Sequence, residues 1–267
     1  MDGDAHLMTQ TYQPETAGTS SVPFEKLGLR PLTAVRAIGK LLKDKEDTAQ
    51  VFEIMRALSG KSIPKGYAKL LETPKGGAIA YRREELAEIL SDRAFLESLP
   101  AGSVGRAYLN FTTTENISAQ GLIEESQRAG NQDVERKHPL AWYGRRLRDV
   151  HDLWHVLSGY GRDAIGETCL VAFSYAQTKS LGFGFIGLVG ALKLKRELPS
   201  QPMLRAVWEA YRNGRKAGWL PGEDYIALLS EPLDRARARL NIAEPSTYFA
   251  VPAEWRNGNG SMVPAAA

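Results

Sequence analysis

The sequence predicts a mainly α, single-domain, bundle-like fold, and three observations lead there. Apolar residues recur at helical spacing along most of the chain, no stretch alternates apolar and polar residues as a half-buried strand would, and no segment repeats. The chain has 267 residues, 43% of them hydrophobic and 24% charged, which is ample for one buried core of packed helices.

The elements follow in order. Residues 1–22 contain acids and no apolar run, and are expected to form a disordered tail. The helical domain is placed at 23–245, and 246–267 is expected to be a poorly ordered C-terminal tail, ending in NGNGSMVPAAA. Val35, Ile38, Leu41 and Leu42 form one helical pattern, and Val51, Ile54, Met55 and Leu58 a second, opened by Asp47 or Thr48 and ended by Gly60. One helix is predicted through Leu86, Ile89, Leu90 and Leu96, stopping at Pro100. Another carries Val104, Ala107, Tyr108 and Phe111, and a short one runs through Leu122 and Ile123. Pro139 opens a strong run through Leu140, Tyr143, Leu147, Val150, Trp154 and Leu157, closed by Gly159 and Gly161. Helical patterns then span about 166–195, 202–217 and 232–240.

Composition excludes several classes. The chain carries 34 basic and 31 acidic residues, a net charge of +3, too small an excess to suggest nucleic-acid binding. The single cysteine, Cys169, rules out an internal disulfide and any Cys-rich zinc or iron–sulfur site. The longest apolar stretch, Leu181 to Leu194, is too short to span a membrane and is interrupted by Gly182, Gly184, Gly187, Gly190 and Lys193. Its glycines either admit a neighbouring helix closely, or the stretch lines an apolar ligand channel or lies in a membrane interface with Lys193, Lys195 and Arg196 at the headgroups.

The chemistry concentrates in HDLWH. His151 and His155 stand four apart on one helix, so their side chains project about 40° apart and can grip one ion. Asp152 lies about 60° beyond His155, close enough to be a ligand, an orienting partner of an imidazole or a general base. Glu167 follows His155 after eleven intervening residues. In a straight helix the two would stand about 18 Å apart, but a break at Gly159–Tyr160–Gly161 lets Glu167 fold back; a Glu favoured by the helix dipole is the plainer alternative. Arg145, Arg146 and Arg148 precede the motif. Arg148 is a surface partner of Asp152, four residues on, or else Arg148 or Arg145 is a clamp for an anionic carboxylate or phosphate. An HD-type phosphohydrolase would need further His and Asp ligands, and only His6 and His138 remain.

The stretch HDLWHVLSGYGRDAIGE, with HDxxH, eleven residues and Glu, resembles the signature of the fourth protein of coenzyme Q biosynthesis, the Coq-four family. PAGSVGRAYLNF, WYGRRLRDVHD and EDYIALLSEPLDRARARLNI are similar to the family's segments too, so the resemblance covers roughly residues 30 to 243. It implies a helical fold and one divalent metal ion, zinc or else iron, cobalt or manganese, on His151, Asp152, His155 and Glu167. It also implies peripheral contact with a membrane holding polyprenyl substrates, and other ubiquinone biosynthesis proteins as partners; a homodimer is a further expectation. Two roles are associated with the family. One is oxidative decarboxylation, with hydroxylation, at ring carbon one of a prenylated hydroxybenzoate, in which Asp152 or Glu167 would move a proton and Arg148 hold the carboxylate. The other is a non-catalytic lipid-binding scaffold for the biosynthetic complex. The start of the sequence shows no organelle-targeting pattern, so the expected location is the bacterial cytoplasm, at the inner face of the cell membrane.

Overall fold

The computed structural model describes residues 28–43, 47–118, 121, 124 and 138–256. Among these residues sixteen α-helices and one 3-10 turn carry the fold, and there is no strand.

Helices α1 (Pro31–Leu41) and α2 (Thr48–Leu58) close a small core in which Ala34, Ala37 and Ile38 meet Ile54, Ala57 and Leu58. Two helices then occupy a stretch where the sequence shows no clear run, α3 (Ser62–Leu71) and α4 (Gly76–Arg82). Pro64 falls in the first turn of α3, where a missing N–H is not needed. Gly66 is a contact point: a Cβ there would lie 2.6 Å from Tyr143 Oη. The single helix expected through Leu96 is two, α5 (Leu86–Ser91) and α6 (Arg93–Ser98), because Asp92 leaves the helical region and its carboxylate accepts the Phe95 N–H at 2.9 Å. In α7 (Val104–Thr114), Ser103 caps the start by accepting the Arg106 N–H. The expected helix at Leu122–Ile123 and the 1–22 tail lie outside the described residues.

The run from Pro139 is also two helices, α8 (Pro139–Asp149) and α9 (His151–Ser158), jointed at Val150 (φ −90°, ψ 2°). Gly159 ends α9 at φ +82°, a left-handed residue that suits glycine, and its N–H returns to the His155 carbonyl at 2.8 Å. The long pattern over 166–195 divides at Lys179 into α10 (Ala164–Thr178) and α11 (Leu181–Glu197). Helix α10 is the centre of the molecule. It packs against α9, α11 and α12 (Met203–Lys216), and its buried side chains, Cys169, Leu170 and Phe173 among them, lie around its whole circumference. The 3-10 turn Leu220–Gly222, α13 (Tyr225–Leu229) and α14 (Leu233–Arg239) complete the main core with Tyr225, Leu228, Leu229 and Ala236. Arg237 of α14 donates to the carbonyls of Leu157 and Val156, which helps fix the last turn of α9.

The chain after 245 corrects the expected tail over residues 246–256. It forms α15 (Ser246–Phe249) and α16 (Ala253–Arg256), with Tyr248 and Val251 in the main core. Glu209 of α12 anchors this segment by accepting N–H bonds from Ser246 and Thr247.

Helix α11 shows why its glycines occur. A Cβ on Gly182 would approach the Met55 backbone to 3.0 Å, and one on Gly190 would approach Thr168 equally closely, so α11 fits between α2 and α10. Its other side leaves Leu181, Leu188 and Leu192 exposed, and α1 likewise exposes Leu32 and Val35. No helix among the described residues is long and apolar enough to cross a membrane.

Candidate metal centre

The break between α9 and α10 brings the two halves of the sequence motif together. His151 Nε2 lies 3.7 Å from Glu167 Oε2, and His155 Nε2 lies 3.3 Å from Glu167 Oε1. The two imidazoles meet edge to face with centroids 5.1 Å apart. Three donor atoms, one from each residue, all lie within 4.8 Å of one another. Around a tetrahedral ion with bonds of ordinary zinc length, neighbouring ligand atoms stand about 3.4 Å apart, so the spacing fits a metal.

The local chemistry fits as well. His155 Nδ1 lies 2.9 Å from the Tyr160 carbonyl, which only accepts, so Nδ1 carries the hydrogen and Nε2 presents its lone pair. That Nε2 is buried and has no hydrogen-bond partner, which leaves a buried acceptor aimed at the triad. Phe111 stacks on the His155 ring with centroids 5.5 Å apart, fixing its other face. Burial opposes ionisation of Glu167, yet the two imidazoles against it hold its carboxyl far below the usual range. Burial likewise opposes charging His151, but the Glu167 hydrogen bond, with the charges of Glu167 and Asp152, raises its pKa above the ordinary value. A cation at this point would compete with a proton for His151.

The loop that turns Glu167 back is tightly built. Asp163 Oδ1 accepts the N–H groups of Ile165 and Gly166, both at 3.0 Å, and starts α10. A Cβ on Gly166 would overlap the backbone of Gly161. Tyr248 closes the loop from the C-terminal segment, donating its hydroxyl to Asp163 Oδ2 at 2.6 Å and accepting the Gly161 N–H at 3.1 Å.

Three of the four expected ligands are thus assembled: His151, His155 and Glu167. Asp152 falls outside the group. It is buried beside α7, where burial first, and then the charges of Asp152 and Asp149, push the Tyr108 hydroxyl pKa well up. Arg148 is not a surface residue. Its guanidinium is buried and pairs with Asp149 at 2.8 Å. Arg145 forks onto Glu85, and the buried Arg146 donates to the backbone carbonyls of Pro221 and Glu223. The cation beside the triad is Arg162, which sequence reasoning passed over. Its Nε lies 3.9 Å from Glu167 Oε1 and its Nη1 lies 4.0 Å from Glu115 Oε2. Phe111, Tyr160 and Tyr248 were missed as well. Of these, Arg162 carried a signal, as a charged residue inside the short loop between the two ligand helices.

The sequence model described as "Coenzyme Q (ubiquinone) biosynthesis protein Coq4" matches residues 19–246. The mitochondrial ubiquinone biosynthesis protein COQ4 homolog of Bos taurus is 30% identical over 172 residues, covering 64% of this chain and 62% of that protein. The human homolog is 29% identical over 176 residues, covering 66% of this chain and 63% of that protein. The chain therefore spans just under two thirds of the length of these relatives. The crystal structure of a putative ubiquinone biosynthesis protein from Nostoc punctiforme superposes with a TM-score of 0.57 at 19% identity, over 81% of this chain and all of that one, which supports the fold. With the family's model matched over residues 19–246, the chain belongs to the coenzyme Q biosynthesis family Coq4.

Proposed function

We propose that this protein is a metal-dependent enzyme of ubiquinone biosynthesis that oxidatively decarboxylates a prenylated hydroxybenzoate. The observation that supports this most directly is the unpartnered lone pair of His155 Nε2 facing His151 and Glu167 at ligand spacing. Three protein ligands leave a coordination position for another molecule, the pattern of catalytic rather than structural sites. His155 is fully enclosed, whereas the Glu167 side chain is 36% exposed, so a ligand would enter from the Glu167 side.

In the reaction the bond from ring carbon one to the carboxyl group breaks and carbon dioxide leaves. A bond from ring carbon one to an oxygen atom of water forms in its place, and the two electrons released, with two protons, reduce dioxygen to hydrogen peroxide. The ion, zinc or a redox-active alternative, would supply Lewis acidity toward the ring carboxylate or phenolate. His151, His155 and Glu167 would hold it. Asp152, beside His151 and Tyr108, would act from behind the ligands by orienting His151 and accepting a proton. Arg148, committed to Asp149, would support α8 rather than hold substrate.

The exposed apolar faces of α1 and α11, with Lys195 and Arg196 on α11, favour peripheral contact with a membrane, which we place at the cytoplasmic side of a bacterial cell membrane. The same faces support the second reading, a lipid-binding scaffold for the other biosynthetic proteins. One experiment separates the two. Wild type and His155→Ala, each shown to be folded, are supplied in air with substrate labelled at the carboxyl carbon. Labelled carbon dioxide from the wild type alone supports the enzyme. Pathway function retained by His155→Ala in cells lacking the wild-type protein would support the scaffold.

A further inference from the structure

We infer that Arg162 forms a carboxylate-binding subsite at the mouth of the metal triad, and so selects an acidic aromatic ligand over its neutral counterpart. The inference rests on the enzyme reading above and names the residue that recognises the acid.

Three observations carry it. First, among the described residues the Arg162 guanidinium makes no hydrogen bond: the oxygens of Glu115 and Glu167 stand at 4.0 and 3.9 Å, beyond bonding reach. By contrast, Arg145, Arg146 and Arg237 all donate to close acceptors, and Arg148 pairs closely with Asp149. Arg162 therefore offers the planar fork that matches a carboxylate in a two-point contact. Second, its position is fixed although its side chain, 37% exposed, reaches solvent. Tyr160 before it is buried, and Asp163 after it is bound to Ile165, Gly166 and Tyr248. The constrained backbone therefore fixes where the side chain is rooted beside the triad. Third, the surroundings suit an aromatic acid. Phe111 of α7 stacks on His155, and Glu115, one helical turn further on, faces Arg162, so an aromatic ring borders the triad on the side from which the fork is approached. An ion at the triad would draw the Glu167 charge to itself and leave the fork to the incoming carboxylate.

The test uses the full zinc-loaded chain and two soluble probes, 4-hydroxybenzoate and its neutral methyl ester, with dissociation constants measured by calorimetry. The wild type is expected to prefer the acid. Arg162→Ala should weaken acid binding about tenfold or more and leave the ester unchanged, which also shows that the site remains folded. Arg162→Lys should restore part of the loss, since an ammonium lacks the fork. If the wild type prefers the acid and Arg162→Ala binds it equally well, the subsite is overturned while the enzyme reading stands. If the wild type does not distinguish acid from ester, the subsite is overturned and the aromatic-acid substrate with it.

Discussion

Replacing Tyr248 by Phe removes one oxygen atom from the C-terminal segment and should loosen a metal site built from residues nearly a hundred positions earlier. The hydroxyl makes two bonds, a 2.6 Å donation to the Asp163 carboxylate and a 3.1 Å acceptance from the Gly161 N–H. A hydrogen bond to a buried charged group contributes about 1.5–3 kcal/mol, and a stranded N–H costs about 1 kcal/mol more. The expected loss is therefore about 2–4 kcal/mol, or about 5–15 °C in melting temperature for a chain of this size. The damage should reach the ligands. Gly161 follows Tyr160, whose carbonyl orients His155, and Asp163 starts the helix that carries Glu167. Loss of an orienting partner lowers metal affinity by about 10–100-fold. Thermal melts and competition with a chelating zinc indicator measure the two effects. Tyr81→Phe is the control, since Tyr81 is 89% exposed. A Tyr248→Phe protein that melts within about 2 °C of wild type and binds zinc equally well would refute the clamp.

Other perturbations give equally definite expectations. Gly166→Ala places a methyl group against the Gly161 backbone and should cost about 3 kcal/mol or more, read by urea unfolding, because backbone cannot yield as a side chain can. Metal affinity should rise with pH through the His151 titration, since His151 has a raised pKa and its proton must leave; calorimetry in buffers of different ionisation heat would count the proton released. The metal-free protein should behave in the opposite sense. The raised His151 stabilises it fully below the ordinary histidine pKa, and that contribution is lost as pH rises through the raised value. The depressed Glu167 stabilises it above the ordinary carboxylate pKa and is lost as pH falls below that, so acid and base melts should both fall away from a weakly acidic optimum. Leu188→Glu, at an exposed position of α11, should reduce sedimentation with anionic lipid vesicles several-fold without changing the melting temperature.

Much of this site is legible from spacing alone, because an i, i+4 histidine pair faces one way on any helix and two glycines mark the turn that returns Glu167. What spacing could not supply is distance across the fold. In the sequence the arginines before the motif look best suited to meet an anion, but α8 commits Arg148 to Asp149 and the loop leaves Arg162 beside Glu167. Tyr248 reads as part of a tail because its partner, Asp163, stands 85 residues away. The joint at Val150 was hidden for a local reason: its backbone stays near helical values, so the apolar period runs through it without a break.

The measurement that tests the central claim most directly is the coordination of a metal in the loaded protein, by X-ray absorption at the metal edge together with a crystal structure. The account predicts one ion per chain on His151 Nε2, His155 Nε2 and a Glu167 carboxylate oxygen, with a remaining position held by solvent and Asp152 outside the coordination sphere. An ion bound through Asp152, or a folded protein that takes up no metal at these residues, would contradict it.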